Sequence, residues 1–166
     1  MKKALILVDI QNDFLPGGAL AVPKGDKILQ FVKDLLKTGH HYDLIVVSQD
    51  WHPQGHGSFA SSHAGAEPFQ LGELSGLAQM LWPDHCIEGT SGARLSVAIE
   101  KVVAEIQAAG RQILFVKKGQ DRDLDSYSAF FDNARRHDTG LQSSLRTHDI
   151  SEVDVVGLAL DYCVKA

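Results

Sequence analysis

Several things are scarce in this 166-residue chain, and each scarcity removes a class of function. No apolar stretch approaches the roughly 20 residues needed to cross a bilayer. The run Ala4 to Val8 behind Met1-Lys2-Lys3 is too short to serve as a secretory signal. A cytoplasmic protein without a membrane partner is expected. There is no Lys/Arg run and the formal charge is −5, so the electrostatic footprint of a nucleic-acid or acidic-membrane binder is missing. Cysteine occurs only at positions 86 and 163. In a reducing compartment these are free thiols, and either is a candidate nucleophile. Internal repeats, low-complexity tracts and interdomain linkers are also absent, and the length suits one domain spanning residues 1–166.

What is present is an alternation of short apolar runs and amphipathic segments. Ala4 to Val8 reads as a buried strand that ends at Asp9, and Leu44 to Val47 as a second that leads to Asp50. Between them Ile28, Leu29, Val32, Leu35 and Leu36 recur at helical spacing, with Asp26 as candidate cap and Gly39 as stop. Leu95 to Ile106 repeats the helical pattern and closes at Gly110. Ile113 to Val116 forms a third strand leading to Lys118, and Val153 to Val156 a fourth, which runs through Gly157 to Cys163. Residues 51–90 carry no clear period and read as a long functional excursion. The order predicts an α/β fold: an open, mostly parallel sheet with helices on both faces and its ligand site outside the carboxyl ends of the strands.

Asp9, Asp50, Lys118 and Cys163 all belong at that edge. An acid, a cation and a thiol gathered there can serve as proton carrier, charge partner and nucleophile. A thiol just past a strand and a small-residue turn would sit at a helix start, where the dipole favours thiolate. Each residue alone has a blander reading, as a turn carboxylate, a solvated lysine or a buried structural cysteine. Asp50, His52 and His56, with His85 further on, offer mixed oxygen and nitrogen donors suited to Zn, Fe or Mn. Asp50 and His52 project to one side of an extended segment. Phe14, Trp82 and Tyr127 lie in loops near these groups and could sandwich a flat ring, or simply pack.

Three segments are specific: Leu7-Val8-Asp9-Ile10-Gln11-Asn12-Asp13-Phe14 with Pro16-Gly17-Gly18, Ser48-Gln49-Asp50-Trp51-His52-Pro53, and Trp82-Pro83-Asp84-His85-Cys86. With Lys118-Gly119, Asp125 to Asn133 and Gly157 to Cys163 following in order, the chain resembles nicotinamidases (pyrazinamidases) of the isochorismatase-like cysteine hydrolase superfamily along essentially its whole length. The resemblance implies a catalytic triad of Asp9, Lys118 and Cys163. It implies a divalent metal, Zn ahead of Fe or Mn, held by Asp50, His52 and His85, with Ser58 or His56 as further candidates. It also implies a cis peptide before Ala159, with the N–H groups of Ala159 and Cys163 as oxyanion hole, and a flat amide ring held by Phe14, Trp82 and Tyr127. The substrate implied is nicotinamide, and a homo-oligomer is an expected assembly. Two departures stand out. Leu160 replaces the Thr usual before Asp-x-Cys, and the chain stops three residues after Cys163 where such proteins continue, so a C-terminal truncation is expected. Alternatives are a hydrolase of another small amide on this fold, or an inactive metal-binding fragment.

Overall fold

A computed structural model describes residues 1–166. Its centre is a four-stranded, wholly parallel sheet built from β1 (Lys2–Val8), β2 (Leu44–Asp50), β5 (Ile113–Lys118) and β6 (Ile150–Gly157), in the order β5-β2-β1-β6. β1 and β2 are apolar on both faces because both faces are covered. One layer consists of α1 (Ile28–Thr38) and α2 (Val97–Ala108), whose Val32, Leu36, Ile99, Val102, Val103 and Ile106 pack on Leu5, Leu7, Ile45 and Val47. On the opposite face Ala4, Ile6, Val8, Leu44 and Val46 meet Val116, Ala129 and Leu141, the last from the short helix α3 (Leu141–Thr147).

The helix ends follow local chemistry. The Ser96 hydroxyl accepts the Ile99 N–H at the start of α2, and Gly39 closes α1 by donating its N–H to the Leu35 carbonyl. Asp26 does not cap α1 as its spacing suggests. It lies inside a 3-10 turn, Gly25–Lys27, that precedes the helix. The excursion contains an antiparallel hairpin that the sequence pattern conceals, β3 (Leu71–Leu74) with β4 (Leu77–Met80).

Register brings the functional ends level. Asp50 pairs with Lys118, and Val8 pairs with Ser48 on one side and Gly157 on the other. Gly157 is required where β6 passes β1, since a Cβ there would lie 2.0 Å from the Val8 carbonyl oxygen. Just beyond, the Leu158 N–H donates to that carbonyl and the Leu158–Ala159 peptide is cis.

Candidate active site

Asp9 follows the last residue of β1 in a left-handed backbone conformation (φ 52°) that few non-glycine residues adopt, a kind of outlier concentrated at functional positions. Its side chain is fully buried. The Ser48 hydroxyl donates to Oδ1 at 2.7 Å, and Oδ2, without a hydrogen bond of its own, faces Lys118 Nζ at 2.9 Å as an ion pair. Lys118 Nζ, also fully buried, donates to Asp50 Oδ1 at 2.5 Å, to the Ser126 carbonyl at 3.0 Å and to Cys163 Sγ at 3.5 Å. One ammonium therefore binds the acid, the thiol and a second carboxylate. Asp9, Asp50 and Cys163 put a carboxylate oxygen each and the sulfur within 4.8 Å of one another.

Electrostatics gives these groups distinct states. Burial raises the Asp9 carboxyl above its ordinary value; Lys118 opposes this and the nearby Asp50 reinforces it. Burial works to lower Lys118, yet Asp50 and Asp9 together hold it well above its ordinary value, so it stays charged. Burial pushes the Cys163 thiol well up, and Lys118 recovers only part of that against the two carboxylates. The sequence pattern suggested a thiolate favoured by a helix dipole. Instead, Cys163 occupies the fourth position of a five-residue π-helical turn, Leu160–Val164, and rests as a thiol facing a base. The Ala159 N–H has no hydrogen-bond partner, and the Ala159 carbonyl accepts from the N–H groups of Tyr162 and Val164. Leu160, where the usual hydroxyl is missing, points into solvent at 73 % exposure and leaves this turn intact.

Beside this group lies a set of donors fitted to a cation. Asp50 Oδ2 is 3.9 Å from Nε2 of both His52 and His85. The Nδ1 of His52 bonds to the Gly119 carbonyl and that of His85 to the Pro83 carbonyl, both at 2.8 Å, which fixes each tautomer with its Nε2 lone pair turned inward. Burial lowers both imidazoles below their ordinary value and keeps them neutral, the state a ligand needs. Gly119 is obligatory here, because a Cβ would lie 2.4 Å from the His52 ring. His56 is fully engaged: Nε2 bonds to the Asp121 carbonyl at 2.7 Å and Nδ1 meets Ser58 Oγ at 2.8 Å. It buttresses Ser58, and with His52 and Asp125 it forms a second group of donor atoms within 4.8 Å of one another.

The groups open onto a cavity of about 250 Å³ lined by Phe14, Trp82, Tyr127, Ala159, Cys163 and Asp50 among others. Trp82, Tyr127 and Tyr162 meet edge to face, with centroids 5.1 to 6.5 Å apart, and Phe14 tilts on the His85 ring at 5.6 Å. Every site residue expected from sequence thus borders one cavity or stands directly behind it. Sequence reasoning missed Tyr162, although it adjoins Cys163, and Asp125 and Gln79, whose approach depends on the concealed hairpin. It also passed over Gln11 and Asp13, which fix the backbone of Asp50 and Cys86.

The isochorismatase domain model matches residues 3–166. The chain belongs to the isochorismatase family. Within that family it is 48% identical over 165 residues to the nicotinamidase of Escherichia coli (strain K12), covering 98% of this chain and 73% of that one. The fold superposes on the yeast nicotinamidase bound to the inhibitor nicotinaldehyde with a TM-score of 0.90 at 39% identity, over 99% of this chain and 78% of that one. The pyrazinamidase of Pyrococcus horikoshii in complex with zinc gives a TM-score of 0.71 at 32% identity, over 99% and 75%. Family membership agrees with the mostly parallel sheet flanked by helices. No helix is long and apolar enough to cross a membrane.

Proposed function

We propose that this protein is a cytoplasmic, single-domain amide hydrolase that converts nicotinamide to nicotinate and ammonia, with Cys163 as nucleophile, Asp9 as proton carrier and Lys118 as their shared counter-charge. The observation that carries this reading is the contact of one buried ammonium with Asp9 and Cys163 at the floor of an aromatic-walled cavity, in a chain nearly half identical to a nicotinamidase.

The resting thiol and the raised Asp9 carboxyl define the first step. Asp9 Oδ2 takes the Cys163 proton as the sulfur attacks the carboxamide carbon, and Lys118 holds the charge that develops on sulfur. The N–H groups of Ala159 and Cys163 receive the oxygen that becomes negative. Protonated Asp9 then gives its proton to the departing nitrogen, so ammonia leaves and a thioester remains. A water, deprotonated by Asp9, attacks that thioester. Nicotinate departs and the proton returns to the sulfur, which restores the starting state. The raised carboxyl makes Asp9 a stronger base than an ordinary aspartate for taking the thiol and water protons, and the departing nitrogen, more basic still, takes the first of them back.

Asp50, His52 and His85 would hold a divalent cation, which supplies a Lewis-acidic point for the ring nitrogen or a water bridging to it. Zinc is the metal we favour, on the neutral imidazole pair and single carboxylate. Phe14, Trp82 and Tyr127 flank the ring and fix its plane, which is orientation rather than chemistry. The test is ammonia release from nicotinamide by the purified protein supplied with Zn, Mn or Fe, with Cys163→Ala as control. Turnover that survives the control, or none in the parent with any cation, removes the assignment.

A further inference from the structure

The hairpin β3–β4 is built the wrong way round for a strand pair that docks by hydrophobic burial. Leu71 is 73 % exposed and Leu77 37 %, while the hairpin's one buried side chain is the amide of Gln79, at 3 %. A buried primary amide must find partners, and Gln79 Nε2 finds three acceptors: the Met80 carbonyl at 2.8 Å, Asp125 Oδ2 at 2.8 Å and the Tyr127 hydroxyl at 3.2 Å. Two of these belong to the cavity wall. The hairpin turn is tied to the same loop a second time, where Ser75 Oγ donates to the Asp123 carbonyl at 2.7 Å. Two residues past Met80 the chain delivers Trp82, the other aromatic wall, whose ring stands 6.5 Å from that of Tyr127. Gln79 therefore bridges the two strands of chain that carry Trp82 and Tyr127, and its hydrogens are the tie between them.

We infer that Gln79 is a positioning residue that sets the separation and tilt of the Trp82 and Tyr127 rings, and through them the affinity for a flat aromatic amide. It touches neither the nucleophile nor the cation donors, so its loss acts on ring binding. An amide donating to a carboxylate is a charge-assisted bond, and its removal from a buried position corresponds to about a tenfold effect in an equilibrium constant.

The kinetic part of the test rests on the nicotinamide reading; a second measurement does not. Gln79→Met keeps length and loses the donor. In it the KM for nicotinamide is expected to rise about tenfold while kcat falls less than about threefold. Added to Asp125→Ala, the same substitution is expected to cost far less than it does alone, because the carboxylate it acts through is already gone. Amide hydrogen exchange, measured without substrate, is expected to show faster exchange at residues 77–80 and at 125–127 together in Gln79→Met. A KM within twofold of the parent, or multiplicative losses in the double variant, overturns the inference. Exchange at 125–127 unchanged by Gln79→Met overturns it as well, and that result is decisive even if the parent proves inactive on nicotinamide, an outcome that removes only the proposed function.

Discussion

Gln11 and Asp50 are joined at two points: Gln11 Oε1 accepts the Asp50 N–H at 2.8 Å, and Gln11 Nε2 donates to the Asp50 carbonyl at 2.7 Å. The fully buried amide thus does for Asp50 what another strand would do, and it adds a bond to the Ala93 carbonyl at 2.8 Å. Gln11→Leu removes the side-chain partner of the Asp50 N–H and carbonyl in a dry site, while the Ala93 carbonyl keeps the Gln49 amide at 3.0 Å. A loss of about 2 kcal/mol in unfolding free energy is expected. A fall of about tenfold in zinc affinity should accompany it as Asp50 shifts. Urea titration and calorimetric zinc binding measure the two separately, and a zinc affinity equal to the parent's would show that Asp50 keeps its place without Gln11.

Lys118 is the sole ammonium between two buried carboxylates. Lys118→Met is therefore expected to abolish turnover and, in chelator, to destabilise the fold by about 3 to 5 kcal/mol. Adding Asp9→Asn to Lys118→Met removes one of the stranded charges and should restore part of that stability with no activity. Thermal unfolding of the single and double variants decides it, and a double variant less stable than the single one contradicts the pairing described above.

Removing one cation donor acts first on binding. For His85→Ala the zinc dissociation constant is expected to rise by more than the roughly 10- to 100-fold typical of lost outer-shell contacts. Binding of nicotinamide to the zinc-loaded protein should weaken in parallel, and Cys163 should react with a small alkylating reagent about as fast as in the parent. A variant that binds zinc as tightly as the parent would remove His85 from the donor set.

Asp132 gives a pH signature independent of catalysis. Burial works to raise its carboxyl, but the N–H groups of Arg136, His137 and Ala134, which it accepts, and the His137 ring hold it below its ordinary value of 3.8. A depressed folded-state value means that the carboxylate contributes stability above the unfolded value, and that this is lost as pH falls through the folded one. The parent should therefore be more stable than Asp132→Asn near pH 7, and the gap should close as the pH drops below about 4. Urea midpoints across that range test the sign, and a gap that widens in acid would refute it.

The site was largely legible in the sequence because its residues sit where apolar runs stop. Asp9, Asp50 and Lys118 each end or follow a strand whose composition announces burial. The hairpin was illegible for the opposite reason. Leu71-Gly72-Glu73-Leu74 and Leu77-Ala78-Gln79-Met80 lack β-branched and aromatic residues, and they turn a polar side chain inward, so neither period nor propensity marks them as strands. The surroundings of Cys163 were not legible, because burial and the two carboxylates that push its thiol up, and the ammonium that opposes them, come from β1, β2 and β5, far away in sequence. The bonds of His56 to Ser58 and to the Asp121 carbonyl, 65 residues away, could not be read from the motif, because the second depends on how the chain folds back.

The pairing of Asp50 with Lys118 across β2 and β5, and of Val8 with Ser48 and Gly157 across three neighbouring strands, works as a ruler. Adjacent strands are held about 4.8 Å apart by main-chain hydrogen bonds that no side chain can lengthen or shorten. The spacing between the seats of the acid, the ammonium and the Asp50 carboxylate is then a lattice constant of the sheet. Substitutions in the layers above and below it can change how long the folded molecule survives. They have little purchase on the dimensions of the place where a substrate would react.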